Sequence, residues 1–467
     1  MNLKNKLSNY NILSAASELA DKIGVEVFVV GGFIRDLILD RKNEDIDFLI
    51  VGDVIKYTKT LASSLGVKDV VIYKNFGTAH FTYEGLNLEF VGARKESYRK
   101  SSRNPEISEG TFYDDISRRD FTINTLAASI RLENFGEVID EFNGIKDIEN
   151  KIIKTPVDPK ITFDDDPLRI LRAFRFASQL NFTVDDSALK AAEELRERLE
   201  IVSQERITDE FLKILKSPKP SIGLNLLQST RVMEYVFPEI SQMIGVEQRK
   251  DYHHKDVFYH TLEVVDNISR KTDDVWLRFA ALVHDIAKPK TKKFVEGTGW
   301  TFHGHEELGA RMMKSIFKRM KLPMNKLDYM EKLVRLHLRP IALVSDDVTD
   351  SAIRRLIVSA DEDLEDLITL CRADITSKNP EKVVKYLKNY EIVMNKVREV
   401  KEKDQLRAFQ SPVGGDVIME VCNLKPSKKV GEIKTAIEEA ILDGLIANNY
   451  DEAYKYLLKI KDQYFNN

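Results

Sequence analysis

The chain has 467 residues, 43% of them hydrophobic and 31% charged, with a formal net charge of −4. That length exceeds one ordinary core and implies about two to four domains of soluble, globular composition. The charge balance excludes a globally basic nucleic-acid binder, so RNA phosphates would have to meet a local patch. Only Cys371 and Cys422 are present, which excludes a disulfide scaffold or a cysteine-rich zinc module and suits a reducing cytosol. The first residues carry no apolar signal core, and no apolar run is long enough to span a bilayer. A cytoplasmic protein with no membrane partner is expected.

In chain order, Leu13, Ala16, Leu19, Ala20 and Ile23 recur at helical spacing. VEVFVV (Val25–Val30) predicts a strand, and Gly31–Gly32 opens a helix over FIRDLILD. DFLIV (Asp47–Val51), VVIY (Val70–Tyr73), HFTY (His80–Tyr83) and LEFV (Leu88–Val91) predict further strands. The polar segment Tyr98–Gly110, with Ser, Asn and Pro, predicts a loop. Beyond about Pro156 the pattern turns helical, beginning with PLRILRAFRFASQL. Ile433, Ile437, Ile441 and Leu445 form an i, i+4 stripe that predicts one core-facing helix. The fold class is therefore α+β, a small mixed sheet followed by helices.

Two constellations carry chemistry. Gly31 and Gly32 lie between a strand and a helix, where the backbone can approach a phosphate closely. Asp45 and Asp47 are two residues apart in a predicted strand, so both carboxylates project from one face. Such crowding is costly without a cation between them, and hard oxygen ligands suit Mg²⁺. Glu89, at the head of LEFVGARKE, is the candidate third carboxylate. The chemistry that fits is in-line attack of an RNA 3′-hydroxyl on a nucleoside triphosphate at a two-metal site.

GGFIRD, EDIDF, LEFVGARKESY, RRDFTIN and DDPLRILRAFRFASQL occur in this order. The chain resembles the class II bacterial tRNA nucleotidyltransferases and the related bacterial poly(A) polymerases, from about Val25 to at least Leu215. The resemblance implies an N-terminal nucleotidyltransferase head in which Asp45 and Asp47 bind two catalytic magnesium ions. It implies that Gly31, Gly32 and Arg35 hold the triphosphate, and that Arg118, Arg119 and Asp120 contact the ribose. Asp166 and Arg169 match the pair that reads the Watson–Crick edge of the incoming base; they are three apart and share a helix face. The family more often has Glu where this chain has Asp165. Arg172 and Arg175 continue the same face toward phosphate or solvent. In QERITDEFLKIL, Glu205 and Arg206 read as structural residues bracing the site.

Seven of the eight histidines fall between His253 and His337. His260 sits in DYHHKDVFYHTLEVV, His284 and Asp285 in FAALVHDIAKP, His305 in GHEE, His337 in RLHLRP and Asp374 in CRADITS. Imidazoles and carboxylates together suit a divalent transition metal or Mg²⁺. This pattern is similar to an HD domain, a helical metal-dependent phosphohydrolase fold. The resemblance implies His260, His284, Asp285 and Asp374 as core ligands, and His305 and His337 match the further ligands of binuclear members. His253, His254 and His303 read as surface or supporting residues. The basic run IAKPKTKKF reads equally as a phosphate contact or a solvated loop.

The expected organisation is a catalytic head over 1–150, a helical neck with base-recognition and RNA-binding motifs over 151–240, an HD metal-binding domain over 241–380 and a C-terminal helical region over 381–467. The resemblance implies CCA addition to tRNA from CTP and ATP. A poly(A) polymerase, an A-adding or a CC-adding enzyme shares the same motifs, and an HD phosphohydrolase is the reading from another class. A non-catalytic RNA-binding module is disfavoured by the retained carboxylates. Nothing in the sequence identifies a protein partner.

Overall fold

The computed structural model describes residues 1–73, 77–99, 102–246, 256–297, 299–344, 348–377, 379–404 and 411–464. It divides into two compact units, Met1–Ser241 and Gln242–Asn467. The first is α+β and the second is mainly helical. Among the described residues, no helix is long and apolar enough to cross a membrane.

The first unit is organised by a seven-stranded mixed sheet. Its strands include β1 (Glu26–Val30), β2 (Asp45–Val51), β3 (Val71–Tyr73), β4 (Thr78–Tyr83) and β5 (Leu86–Gly92). β6 (Arg94–Arg99) and β7 (Ser102–Glu109) stand outside it, and β8 (Ala127–Ser129) and β9 (Val138–Ile139) complete it. The order is β3-β4-β5-β2-β1-β8-β9. β2 and β5 run parallel, while β1 is antiparallel to β2. Ile46, Phe48 and Ile50 alternate inward on β2 and are fully buried. Phe48 stacks on Phe90 at 4.6 Å between ring centroids, and Phe81 on Phe90 at 5.2 Å. Tyr57, from the helix Val54–Ser64, closes this dry face. On the other face, Val30, Leu49, Ile116 and Ala127 form a smaller buried cluster, and the start of β2 lies clear of it.

The predicted loop at Tyr98–Gly110 is instead occupied by a ribbon, with Arg94 paired to Glu109 and Arg99 to Ser102. Its polarity misled the sequence reading because a separate two-stranded ribbon has no sheet face that requires an apolar period. Pro105 fits because both strands of such a ribbon are edges.

The neck belongs to the same unit. Short strands β10 (Ile152–Ile153) and β11 (Thr183–Val184) pair in parallel around the helix Leu168–Leu180. That helix packs against Gln204–Lys216 and Pro220–Ser229. At the crossing, the Gly223 N–H donates to Ser178 Oγ at 2.7 Å. A Cβ at Gly223 would lie 2.5 Å from that oxygen, 2.8 Å from Ile214 Cγ2 and 2.9 Å from the Phe174 carbonyl.

In the second unit, helices Val257–Ser269, Val275–Val283, His305–Arg319, Leu327–Leu336 and Leu364–Ala373 form the helical core. A two-stranded hairpin, β12 (Lys293–Val295) with β13 (Gly299–Thr301), interrupts them. Farther on, Ile433, Ile437 and Ile441 of the helix Lys428–Leu442 are buried with Val413, Ile418, Leu457 and Ile460. Leu445 departs from the predicted stripe: the helix ends at Leu442, the period is lost, and Leu445 is 70% exposed.

The backbone contact at Gly223 leaves no room for a methyl group. Gly223→Ala should destabilise the first unit by about 1–3 kcal/mol through overpacking, read as a lower urea midpoint. An unchanged midpoint would refute the close approach.

Candidate active sites

The first candidate site is set by strand register. On β2, Asp45 lies opposite Asn87 and Asp47 opposite Glu89, while on the other side Val30 of β1 faces Asp47. The three carboxylates named from sequence are thus assembled on two neighbouring strands, with Asp45 and Glu89 exposed and Asp47 half-buried. Asn87 Nδ2 donates to Asp45 Oδ1 at 2.9 Å and fixes its rotamer. Burial pushes the Asp47 carboxyl up to about 6; Arg119 opposes this, and Glu89 and Asp45 reinforce it. The donor set suits a hard divalent cation: three carboxylates occupy neighbouring register positions on two strands, and the nearby cation Arg119 offsets only part of what raises Asp47.

Gly31 follows β1 at φ 78°, ψ −137°, a region essentially restricted to glycine. A Cβ there would sit 3.0 Å from an Arg119 Nη1 and 3.6 Å from Asp47 Oδ2. Gly32 has only ordinary contacts, with Arg35 nearest at 3.5 Å. The Gly31 N–H donates to the Leu126 carbonyl at 2.9 Å, so that donor does not join the expected phosphate cradle.

Arg118 and Arg119 converge on one fully buried carboxylate, Asp115. The short helix Phe112–Ser117 holds Asp115 in place, and a Thr111–Asp114 capping box starts it. Both arginines remain partly exposed, and Arg119 flanks Asp47. Asp120 is committed inward. Its Oδ1 accepts from the Phe121 N–H and from Asn124 Nδ2, both at 2.9 Å, and its Oδ2 from Arg172 Nε at 2.8 Å. Burial opposes its ionisation, but Arg172, Asn124 and Arg169 hold the carboxyl down at about 2.

Three arginines expected to meet phosphate or solvent are engaged internally instead. Arg35 is 4% exposed. It donates twice to Asp36, at 2.9 and 2.8 Å, and once to Asn124 at 2.8 Å. Arg175 donates to Glu210 at 2.7 Å, and Arg172 is held by Asp120. All three guanidiniums surround the Phe176 ring, at 5.0, 5.5 and 4.1 Å from its centroid. A buried charge is tolerable only when paired, and Asp36, Asp120 and Glu210 supply the pairing. The bracing role expected of Glu205 and Arg206 falls to Glu210, which is 4% exposed, whereas Glu205 and Arg206 are exposed. The signal was available: Glu210 lies three residues after Ile207 and four before Ile214, on the buried stripe.

Asp166 ends the helix Pro159–Asp165, and its Oδ1 accepts from the Leu168 N–H at 3.2 Å. Arg169 belongs to the following helix, Leu168–Leu180, and donates to the Arg118 carbonyl at 2.7 Å; Asp166 is extended ahead of Pro167, so the two do not share one helix face as expected. Arg169 therefore sits against the Arg118–Asp120 segment, and Arg206 lies 3.9 Å from Asp166.

The second candidate site is within the second unit. His284 and His337 follow the ends of two helices, His305 begins a third, and Asp374 follows a fourth. Three imidazoles are oriented alike: Nδ1 of His284, His305 and His337 lies 2.8, 2.7 and 2.7 Å from the carbonyls of Ala281, Phe302 and Val334. Each Nε2 is buried and lacks a well-aligned hydrogen bond. They converge on Asp285, which is 1% exposed, with His284 and His305 Nε2 both 3.2 Å from its oxygens. His260 Nε2 is 2.9 Å from Asp374 Oδ1, and its Nδ1 meets Thr376 Oγ1 at 2.9 Å. Two ligand groups overlap at Asp285: His260–His284–Asp285 and Asp285–His305–His337. Orphaned buried Nε2 atoms with backbone-fixed tautomers fit divalent metal ions. Burial disfavours a charged His284, but Asp285 and Asp374 raise it to about 10; burial and His284 lower His337 to about 4. Lys288 Nζ is 2.6 Å from Asp285 Oδ2, so this part of the basic run points inward, a contact the sequence reading missed. His303 is exposed, and His253 and His254 lie outside the described residues.

Three family models match: the poly A polymerase head domain over residues 27–154, the "Probable RNA and SrmB- binding site of polymerase A" over 181–244, and the HD domain over 257–379. The chain is 31% identical to an A-adding tRNA nucleotidyltransferase of Deinococcus radiodurans, covering 88% of this chain and 90% of that one. It is 33% identical to a multifunctional CCA protein of Psychromonas ingrahamii, covering 64% and 71% respectively. Its fold matches a CCA-adding enzyme solved with ATP at TM-score 0.65 and 20% identity, over 98% of both chains.

Gly31→Ala should cost about 1–3 kcal/mol of stability from its backbone conformation, whereas Gly32→Ala should shift the urea midpoint far less; equal shifts would contradict the geometry. In an Asp45→Asn, Asp47→Asn background, calorimetric titration with Mn²⁺ should find two ions bound, and His305→Ala with His337→Ala should leave one. Unchanged stoichiometry would remove those two histidines from the ligand set.

Proposed function

Since this chain belongs to the tRNA nucleotidyltransferase family, we propose that it completes the 3′ end of tRNA with C, C and A from CTP and ATP, releasing pyrophosphate. The observation that carries this reading is the register that sets Asp45, Asp47 and Glu89 on two neighbouring strands, with Asp47 beside Gly31 and Arg119. The 3′-hydroxyl of the RNA gives up its proton to solvent as its oxygen attacks the α-phosphorus, the bond from that phosphorus to the β-phosphate oxygen breaks, and pyrophosphate carries away the charge. Asp45 and Asp47 hold Mg²⁺, with Glu89 as the third carboxylate. Bound there, Mg²⁺ eases ionisation of the 3′-hydroxyl and neutralises the departing pyrophosphate.

The remaining work is positioning and charge complementarity. Arg118 and Arg119, aimed by Asp115, face the triphosphate and ribose. Asp166 and Arg169 offer acceptors and a fixed fork of donors to the Watson–Crick edge, so the protein substitutes for a template strand. Arg35, Asp120, Arg172 and Arg175 act behind them as positioning residues, joining head to neck around Phe176. The RNA partner is tRNA, recognised by shape through phosphate and 2′-hydroxyl contacts, in the cytoplasm. Buried Cys371 and Cys422 suit that compartment.

A second reading, an A-adding specialist, is favoured by the name of the relative that matches most of the chain. For the second unit we propose metal-dependent phosphoester hydrolysis at His260, His284, Asp285, Asp374, His305 and His337, supported by the orphaned imidazole nitrogens.

The test uses tRNA transcripts ending before CCA, after C and after CC, with Mg²⁺ and CTP, ATP or both, products being resolved by length. Growth of each transcript to CCA and no farther is expected. A single A added only to the CC transcript selects the specialist, and long A tails select a poly(A) polymerase. Asp47→Asn should lower kcat about 10³-fold; retention of wild-type rate would displace the assigned site.

A further inference from the structure

Between Asp285 and His305 the chain leaves the histidine–aspartate cluster and returns to it, and the hairpin β12–β13 fills the excursion. Its root is tied to the cluster on both sides. Lys288 holds Asp285 at 2.6 Å and lies 5.7 Å from the Phe302 ring centroid, and the Phe302 carbonyl lies 2.7 Å from His305 Nδ1. Phe294 and Trp300 are register partners, so they share a face of the ribbon. They meet edge to face at 5.2 Å, yet Phe294 is 59% exposed and Trp300 36% exposed. The Lys292 ammonium lies 4.5 Å from the Trp300 ring centroid, and Lys290 and Lys293 are exposed on the same segment.

Two large rings shown to solvent on so short a ribbon contribute little to a core. Rings beside ammonium groups are what unpaired nucleotides need: π faces for bases and positive charge for phosphates. A protein partner would be offered apolar area without this charge pairing. We propose that the hairpin is a stacking platform for the unpaired bases of a single-stranded RNA end, presenting its phosphate to the adjoining cluster. The binding surface stands on its own geometry; the delivery of phosphate rests on the phosphohydrolase reading above.

The chain has two tryptophans, so Trp276→Phe makes Trp300 the sole indole reporter. This variant of the full chain is titrated, without divalent ions, with the oligoribonucleotide CCA and with a short blunt RNA duplex. Saturable quenching of Trp300 by CCA is expected, weakening as salt rises, with the duplex binding at least about tenfold more weakly. Phe294→Ala and, independently, Lys292→Ala should each raise Kd at least about fivefold. An unchanged Trp300 spectrum at saturating CCA, or a Kd in both variants equal to that of the parent, overturns the proposal and leaves this face to a protein partner. Mn²⁺-dependent hydrolysis of bis(p-nitrophenyl) phosphate by the wild-type chain is measured in parallel. Quenching without hydrolysis refutes the phosphohydrolase reading and upholds the platform as an RNA-binding surface.

Discussion

The register of β2 between β1 and β5 is the constraint on which the first unit depends. It places Asp47 next to both Glu89 and the end of β1, where Gly31 turns the chain. A slip of one residue would turn Asp45 and Asp47 into the face filled by Phe48, Phe81 and Phe90, burying charge among rings. The apolar face thus fixes the position of the acidic one. Apolar burial there amounts to roughly 1.5–3 kcal/mol per large side chain, enough to hold Asp47 in a site whose burial, more than its carboxylate neighbours, raises its carboxyl.

The second unit solves a similar problem with different means. Its ligands come from helix ends rather than a sheet, so no shared register aligns them. Alignment comes from the backbone: three imidazoles use Nδ1 against the carbonyl three residues earlier, leaving Nε2 aimed inward. Asp285, wholly enclosed, is the common neighbour. Both sites therefore hold their donors through geometry set by the chain's own main-chain bonds.

Much of this was legible in the sequence, and the failures share a cause. β1, β2, β4 and β5 announced themselves by β-rich apolar runs, and Asp45 and Asp47 by a spacing that forces one face. The polar ribbon β6–β7 was missed because nothing apolar marks a ribbon with no core to cover. The internal partners of Arg35, Arg172 and Arg175 were not legible, because a sequence displays a charge but hides its partner. Asn124 is 89 residues from Arg35, and Asp120 is 52 from Arg172. Glu210 was legible in principle, since it falls on the buried stripe with Ile207, Phe211 and Ile214, but the sequence does not name Arg175 as the partner that makes its burial tolerable. The histidine cluster was found by spacing and resemblance, while the tautomer-fixing carbonyls and Lys288 needed coordinates.

The ring of Phe176 carries a mechanical consequence. Arg35 reaches it from the head, Arg172 and Arg175 from the neck helix, and Phe121 meets it edge to face at 5.8 Å. Swivelling that helix against the sheet would part Arg172 from Asp120 and draw the ring, which the helix carries, away from the Arg35 that meets it from the head, so one phenyl ring ties the two parts together.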